Sequence, residues 1–232
     1  MERLLKLPER LSVIAGYIQT DASVADVGSD HGLLPVYLAQ NGIAHGIIAS
    51  DISENSLSSA RRSAEKYGVT DKISFIITPG LDGITPSQID TVIIAGMGGE
   101  TIIGIIADAP WLRKSGARLI LQPQSKTDKL CVWLSANGYA INDASITLDN
   151  GRFYIVMLVS AADNLNCSSD PEMALYSLLV QKRDPLAQSF LDSLIDKSRS
   201  ASDGFAKSGA GKNMHLAKRL DALIKLKEEA AK

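Results

Sequence analysis

Short apolar runs alternate with segments of helical spacing along most of this chain, and this alternation is what most limits its fold. Five β-branched, apolar runs have the length of buried strands, at 23–27, 43–49, 73–78, 91–95 and 118–121. Buried strands that alternate with helices favour a parallel sheet covered on both faces. We therefore predict an α/β fold whose crossover connections are right-handed.

Helix signals flank these runs. Apolar residues recur at helical spacing from Leu11 to Ile18, which predicts an opening helix after Pro8. Ser53 is a predicted N-cap for a helix that ends before Gly68. Further helices are predicted at 34–40, 100–107 and 127–137.

The alternation stops after Gly138. Two β-rich runs, 139–148 and 152–160, flank the tripeptide Asp149-Asn150-Gly151. Asn-Gly between β-rich runs is a strong hairpin signal. A doubly wound sheet that finishes in a hairpin is typical of class I methyltransferases and unusual for dinucleotide dehydrogenases. The predicted fold is thus a Rossmann-like class I methyltransferase sheet, mostly parallel, ending in an antiparallel hairpin.

The last part of the chain has a different composition. Residues 162–171 are mostly polar and are predicted to form a linker, after which helical sequence without strand signals follows. Two apolar stripes, from Leu186 to Ile195 and from Leu216 to Ile224, predict two antiparallel helices that reverse within 204–211. We predict a methyltransferase-type domain over 1–161 and a small helical, coiled-coil-like arm over 162–232.

The turn after the first predicted strand carries the main ligand signal, Asp26-Val27-Gly28-Ser29-Asp30-His31-Gly32. Glycines let a ligand approach the backbone, and a helix N-terminus offers free N–H groups. Asp30 stands where the dinucleotide fingerprint G-x-G-x-x-G has its middle glycine. A carboxylate there repels a pyrophosphate but suits a ligand with an ammonium and a sulfonium, such as S-adenosylmethionine. The alternative is that Asp30 only caps the following helix.

Acidic residues also follow the second and third predicted strands. Asp51 lies 25 positions after Asp26, where nucleoside-binding α/β folds place a carboxylate that accepts hydrogen bonds from ribose hydroxyls. Its alternative role is as a carboxylate favoured at a helix N-terminus. Asp82, followed by Gly83, is predicted to accept a hydrogen bond from an adenine amino group, or else to form a plain turn.

Two further segments are predicted to meet at the carboxyl edge of the sheet. Gly96-Met97-Gly98-Gly99 follows the fourth strand and offers a bare backbone to a flat base, although a turn is the simpler alternative. Gln122-Pro123 follows the fifth strand and is predicted to line the same mouth. The predicted catalytic set is Asp30, Gly98, Gly99, Gln122 and Pro123.

Charge is unevenly distributed along the chain, although its net value is only -2. Residues 1–169 carry 13 Lys and Arg against 17 Asp and Glu, whereas 170–232 carry 11 against 9. A mildly basic arm suits contact with a phosphate backbone, while a solvated helical surface is the open alternative. The candidate phosphate-contacting residues in the arm are Lys197, Arg199, Lys207, Lys212, Lys218 and Arg219.

Several other classes are disfavoured. The two cysteines, Cys131 and Cys167, are too few for a disulfide scaffold, and neither a signal peptide nor a membrane-spanning run is evident, so we expect a cytoplasmic location. The three histidines show no metal-ligand spacing, and no metal is expected. The segment 208–213 resembles a phosphate-binding loop, but it lacks the first glycine and follows a helix.

Taken together, the motifs DVGSDHG (26–32), SDIS (50–53), IIAGMGG (93–99) and LILQPQ (119–124) make the chain resemble the bacterial tRNA (adenine(22)-N1)-methyltransferase family. The resemblance implies S-adenosylmethionine as cofactor, tRNA as partner and methylation of adenine N1. It implies cofactor contacts at or beside Asp26, Gly28, Asp30, His31, Gly32, Asp51, Ile52, Asp82, Gly83, Gly96 and Met97. It also puts Arg10, in the opening helix, near the mouth of the site as a substrate contact.

Other functions remain open from the residues alone. A methyltransferase that acts on a small molecule or a protein would need the same cofactor-binding residues. Only the C-terminal helical arm disfavours this alternative. An NAD-dependent oxidoreductase is disfavoured by Asp30 and by the terminal hairpin. A non-catalytic tRNA-binding scaffold of the same fold is disfavoured by the retained Asp26 and Asp51.

Overall fold

A computed structural model describes residues 4–163, 168–207 and 214–231, without the side chains of 205–207. Its seven strands form one sheet in the order β3-β2-β1-β4-β5-β7-β6. They are β1 Ala22–Val27, β2 Ala44–Asp51, β3 Ile73–Ile77, β4 Thr91–Gly98, β5 Arg118–Ser125, β6 Tyr139–Asp149 and β7 Arg152–Ala161. The order reverses direction between β1 and β4, and such a switch point is where α/β sheets bind ligands.

Helices cover both faces of the sheet, and a 3₁₀ turn at Thr70–Lys72 precedes β3. The helices of the described residues are α1 Glu9–Gly16, α2 Leu33–Gln40, α3 Glu54–Lys66, α4 Gly99–Ala107, α5 Leu112–Ser115, α6 Thr127–Ala136, α7 Pro171–Gln181, α8 Ala187–Lys207 and α9 Met214–Ala230. The predicted N-cap is confirmed, because Oγ of Ser53 accepts a hydrogen bond from the backbone N–H of Ser56.

Strand pairing confirms the predicted mixed sheet. The pairs β1–β2, β1–β4, β2–β3 and β4–β5 are parallel, whereas β7 pairs antiparallel with both β5 and β6. The β6–β7 turn places Asn150 at φ 50° and Gly151 at φ 74°. Positive φ at both turn residues is what a two-residue type I′ hairpin needs, and this explains the Asn-Gly sequence.

Two apolar cores lie on the two faces of the sheet. Val24 and Ile93 pack on one face with Ile14 of α1 and Leu38 of α2. Their neighbours in the strands point to the other face, because strand side chains alternate. That second core includes the buried side chains Ile94, Ile102, Leu121, Leu130, Leu175, Phe190, Leu191 and Leu223. Helices α7, α8 and α9 are therefore held to the sheet by shared apolar burial, worth about 1.5–3 kcal/mol for each large side chain.

The C-terminal helices differ from prediction in number and extent. In the described part of this region three helices follow residue 162 where two were predicted, because α7 begins at Pro171, the last residue of the predicted linker. Helix α8 continues past Gly204, where the reversal was predicted to begin; one glycine inside a helix costs only about 1 kcal/mol. An ion pair between Asp192 and Lys227 puts the start of α8 beside the end of α9, as in the predicted antiparallel pair.

Within the described ranges, no helix combines the length and the apolar character needed to cross a membrane. The segment 208–213, which includes Lys212, lies outside those ranges, as does the side chain of Lys207.

Candidate active site

A cleft of about 260 Å³ opens at the carboxyl edge of the sheet, at the switch point between β1 and β4. Six of the residues predicted for the site line it, namely Arg10, Asp26, Gly28, Asp30, His31 and Gly96. Apolar side chains of α1 and α2, including Leu11 and Leu33, complete the wall together with Ser29 and Gln124. A larger cavity of about 420 Å³ between α6, β6 and α7 is lined mainly by apolar groups around Cys131. The acidic cleft is the better candidate because its groups, unlike those of the larger cavity, are carboxylates, a cation and bare backbone.

Asp26 supplies the buried carboxylate of the cleft. Its side chain accepts a 2.9 Å hydrogen bond from Oγ of Ser29, and only 6% of the residue is exposed. Burial raises the pKa of Asp26 to about 6, against the opposing effect of the Ser29 hydrogen bond. The neighbouring Asp51 raises this pKa further, and Arg10 lowers it.

The turn after β1 is held tightly against β2. The backbone N–H groups of Gly28 and Ser29 both donate to the carbonyl oxygen of Ser50, at 2.8 and 3.0 Å. Gly28 has φ +75°, and a Cβ there would lie 2.2 Å from Cε of Met97. The backbone conformation therefore favours glycine at position 28, whereas the Met97 methyl is the end of a flexible side chain that can move aside.

The Asp51 carboxylate accepts hydrogen bonds from two backbone N–H groups. Its Oδ1 accepts from Ser53 at 2.8 Å, and its Oδ2 accepts from Asp30 at 3.4 Å. The two predicted roles of Asp51 are compatible, since a carboxylate that supports a helix start retains acceptor capacity for a ligand. The next residue, Ile52, is 76% exposed and offers an apolar surface beside this carboxylate.

Asp30 and His31 stand at the exposed rim of the cleft. Oδ2 of Asp30 lies 3.6 Å from Nε2 of His31, an ion pair only when the imidazole is protonated. Asp30 has φ 45°, a left-handed conformation that Asp tolerates better than most residues. Gly32 has a packing role, because a Cβ there would be 2.7 Å from Cβ of Ala60 in α3.

Asp82 lies in the loop that follows β3. Its carbonyl oxygen accepts a 2.9 Å hydrogen bond from Oγ1 of Thr78, whose own N–H donates to the carbonyl of Asp51 at 3.0 Å. The Asp82 side chain is exposed beside a separate depression of about 240 Å³, and Gly83 has φ +72° with open space around it. An adenine contact at Asp82 and Gly83 therefore stays a prediction.

Gln122 links the elements on the other side of the cleft. It is fully buried, and its Oε1 accepts from the backbone N–H of Gly96 and from Nη1 of Arg10, both at 3.2 Å. Its Nε2 donates to the carbonyl of the buried Pro123 at 3.1 Å. Arg10 in turn has its Cζ 5.9 Å from the centroid of the Tyr154 ring.

Gly98 and Gly99 pack against β5 rather than lining the cleft. A Cβ on Gly99 would lie 2.3 Å from the carbonyl oxygen of Lys126, and one on Gly98 would lie 3.3 Å from Oγ of Ser125. The close approach of α4 to the end of β5 therefore accounts for Gly99. This packing leaves the predicted catalytic role of both glycines untested.

The candidate tRNA-contacting residues fall into two groups. Lys197, Arg199 and Lys218 are exposed on α8 and α9, and Arg199 lies 3.9 Å from Asp196. Arg219 instead forms a largely buried ion pair with Glu172, which also accepts a 2.6 Å hydrogen bond from the hydroxyl of Tyr176. The Arg219 guanidinium is thus engaged inside the protein.

The sequence-based prediction assigned no role to two residues in or beside the cleft. Ser29 was inside the recognised motif but had no assigned role, and its hydrogen bond to Asp26 depends on the turn geometry. Tyr154 was treated only as part of a strand, since its proximity to Arg10 follows from tertiary pairing. Among the described residues, no group of three or more His, Cys, Asp or Glu side chains is placed to hold a metal ion.

Comparison with known proteins identifies the family. A model of the methyltransferase domain matches residues 7–157. The tRNA (adenine(22)-N(1))-methyltransferase of Bacillus subtilis is 38% identical over 159 residues, which cover 68% of this chain and 67% of that protein. This chain belongs to the tRNA (adenine(22)-N1)-methyltransferase family. The predicted resemblance is thereby confirmed.

Solved structures extend the similarity over almost the whole chain. The B. subtilis M1A22 tRNA methyltransferase structure has a TM-score of 0.75 at 30% identity and covers 98% of each chain. A Streptococcus pneumoniae protein proposed to be a tRNA (m1A22) methyltransferase, solved with S-adenosyl-L-methionine, has a TM-score of 0.82 at 27% identity. That match covers 96% of this chain and all of the other. The likeness includes the C-terminal helices as well as the sheet.

The residues present fit S-adenosylmethionine. Gly28 and Gly96 both line the cleft, so part of its wall is bare backbone that a ligand can approach closely. Asp26 and Asp30 line the cleft, and the Asp51 carboxylate lies beside it, 3.4 Å from the backbone nitrogen of Asp30. These carboxylates suit the ammonium, the sulfonium and the ribose hydroxyls of that cofactor.

Proposed function

We propose that this protein transfers a methyl group from S-adenosylmethionine to N1 of an adenine in tRNA, at position 22. The observation that carries the proposal is the acidic, glycine-floored cleft at the β1–β4 switch point. The proposal is supported by membership of a family whose B. subtilis member carries this name and by a similar structure solved with the cofactor.

We assign cofactor binding to the turns after β1 and β2, with the neighbouring loop after β3 as a further contact. S-adenosylmethionine supplies an electrophilic methyl group on a sulfonium when it is bound. Asp26 and Asp30 provide negative charge for its cationic end, Asp51 accepts from the ribose hydroxyls, and the loop at Asp82 and Gly83 contacts the adenine ring. The remaining proposed contacts are His31, Gly32, Ile52, Gly96 and Met97.

Orientation is the main contribution of the protein to the reaction. Adenine N1 carries an in-plane lone pair, so the chain does not need a base to deprotonate it before attack. Holding N1 in line with the methyl group can lower a barrier by roughly 7–11 kcal/mol in favourable cases. We assign this positioning to the wall that runs from Gly96 through Gln122 to Arg10. Asp30 is placed at the rim to stabilise the positive charge that develops on the base.

The C-terminal helices form the proposed tRNA-binding part. A base within folded tRNA must be extruded before it can enter the cleft, at a cost of a few kcal/mol. Phosphate contacts from Lys197, Arg199 and Lys218 would offset that cost. We assign cofactor binding to residues 1–161 and tRNA backbone binding to 162–232, and we place the enzyme in the cytoplasm with its substrate.

A methyl-transfer assay tests this function. The protein is incubated with radiolabelled S-adenosylmethionine and unmodified bulk tRNA, and the digested nucleosides are analysed by mass spectrometry. We expect label in 1-methyladenosine. Transfer to another nucleoside would contradict the assigned base. No transfer, with a cofactor-induced thermal shift still present, would favour a small-molecule or protein substrate or a scaffold role.

A further inference from the structure

The base-binding side of the cleft lacks an obvious stacking group on β4. The segment after that strand is Gly96-Met97-Gly98-Gly99, which contains no aromatic residue. Proteins that extrude a base hold it between apolar side chains, aromatic rings or the plane of an Arg guanidinium. A planar stacking partner in this protein must therefore come from another element.

Arg10 lies where such a surface is needed. It lines the cleft from α1, and its Nη1 would be 3.7 Å from a Cβ on Gly96. The same nitrogen is held by the buried Oε1 of Gln122. Arg10 is thus fixed on the β4–β5 side of the cleft, whereas Asp26 and Asp51 lie on the β1–β2 side.

Tyr154 supports Arg10 from behind. Strands β5 and β7 are antiparallel, with Leu121 opposite Met157, so Tyr154 lies beyond the paired segment at the carboxyl edge of β5. The Arg10 guanidinium carbon is 5.9 Å from the centre of the Tyr154 ring, within the range of a cation–π contact. The Tyr154 ring and the Gln122 amide both contact the guanidinium, and together they restrict the positions of that side chain.

We propose that the guanidinium plane of Arg10, held by Gln122 and backed by Tyr154, is the surface on which the target adenine stacks. Arg10 touches the base, while Gln122 and Tyr154 act as positioning residues. The inference rests on the proposed function and assigns the base-binding subsite within it. Lys is a poor substitute at position 10, because an ammonium keeps the charge but offers no plane.

Arg10→Lys tests the plane separately from the charge. We expect kcat/KM for tRNA to fall about 10- to 100-fold, the range that base stacking contributes. The affinity for S-adenosylmethionine, measured by calorimetry, and the salt dependence of tRNA binding should stay at wild-type values, because the charge is kept. A kcat/KM within twofold of wild type would overturn the proposal.

Tyr154 variants test the support. Tyr154→Leu should lower kcat by about tenfold with unchanged cofactor affinity, because Arg10 loses its backing ring. Tyr154→Phe keeps the ring and should restore wild-type kcat. Tyr67→Leu is the matched control, since Tyr67 also lies near a cation, 5.5 Å from Nζ of Lys66, but follows α3, which packs on β2 and β3, and does not line the cleft. Equal loss in Tyr154→Leu and Tyr154→Phe, or in the Tyr67 control, would contradict the support role.

The wild-type protein in the same assays separates the two claims. If the wild type forms 1-methyladenosine and both Arg10→Lys and Tyr154→Leu are fully active, the stacking inference is wrong but the proposed function stands. Absence of 1-methyladenosine in the wild type overturns the proposed function and, with it, the subsite.

Discussion

The hydroxyl of Ser29 donates a 2.9 Å hydrogen bond to the buried carboxylate of Asp26 at the floor of the cleft. A single neutral donor does not offset the loss of solvation, so the pKa of Asp26 stays raised, to about 6. The free protein therefore holds a partly protonated carboxyl at a position where a cationic ligand would favour the ionised form.

Asp26 makes the stability of the free protein depend on pH. An unfolded Asp has a pKa of about 4, so between about pH 4 and pH 6 the folded protein binds more protons than the unfolded chain. Its free energy of unfolding should fall by up to about 3 kcal/mol as pH rises through that interval, relative to Asp26→Asn. Urea unfolding at several pH values measures this difference. The exposed Asp71→Asn serves as control, and parallel pH profiles of wild type and Asp26→Asn would contradict the assignment.

Gly28→Ala should abolish cofactor binding. Gly28 lines the cleft, so a Cβ there adds a methyl group to the cleft wall and displaces the Met97 methyl, which lies 2.2 Å away. The matched control is Gly68→Ala, which has φ +68° but open space around it. Both variants should lose about 1–2 kcal/mol of stability from backbone strain, measured by urea unfolding without ligand. Only Gly28→Ala should lose the thermal shift caused by S-adenosylmethionine, and equal shifts in the two variants would refute the role of the bare backbone.

Asp30→Asn should slow methyl transfer while leaving tRNA bound. The substitution keeps the shape of the side chain but removes the charge proposed to stabilise the developing cation on the base. We expect kcat to fall about 10- to 100-fold, with tRNA affinity within twofold of wild type. Single-turnover kinetics together with filter binding provide both values. An unchanged single-turnover rate would remove Asp30 from the mechanism.

The basic residues of the C-terminal helices should contribute to tRNA affinity. Replacing Lys197, Arg199 and Lys218 together by Gln should weaken tRNA binding. The slope of the logarithm of the binding constant against the logarithm of salt concentration should become shallower by about one for each lost phosphate contact. Cofactor affinity should not change. The control removes the same number of charges from exposed positions on α3 and the 3₁₀ turn, at Arg62, Lys66 and Lys72. If both triple variants bind tRNA equally well, these helices are not the docking surface.

Much of the fold could be predicted because its signals are local. Strand runs, the Ser53 cap and the Asn150-Gly151 turn each need only a few neighbouring residues, and the structure confirms them. Helix α7 was not separated from the following helices, because its start at Pro171 directly adjoins polar sequence that resembles a linker. The short α5 also escaped prediction, since four residues carry little periodicity.

Contacts between distant segments were beyond sequence reasoning. The family resemblance put Arg10 near the same site as Asp26, but the hydrogen bond from Arg10 to Gln122 joins residues 112 positions apart. Arg219 was grouped with the exposed cations of its helix, although its partner Glu172 lies 47 positions away. Pairings of this kind depend on how helices and strands pack, which a single sequence does not encode in any local pattern.

The most direct test of the central claim uses a tRNA transcript with adenine at position 22 and a matched transcript with guanine there. Each is incubated with the wild-type protein and labelled S-adenosylmethionine, and methyl groups per tRNA are counted. The account predicts incorporation approaching one methyl group into the adenine transcript, recovered as 1-methyladenosine at nucleotide 22, and none into its partner. Equal incorporation into both transcripts, or none into either, would contradict it.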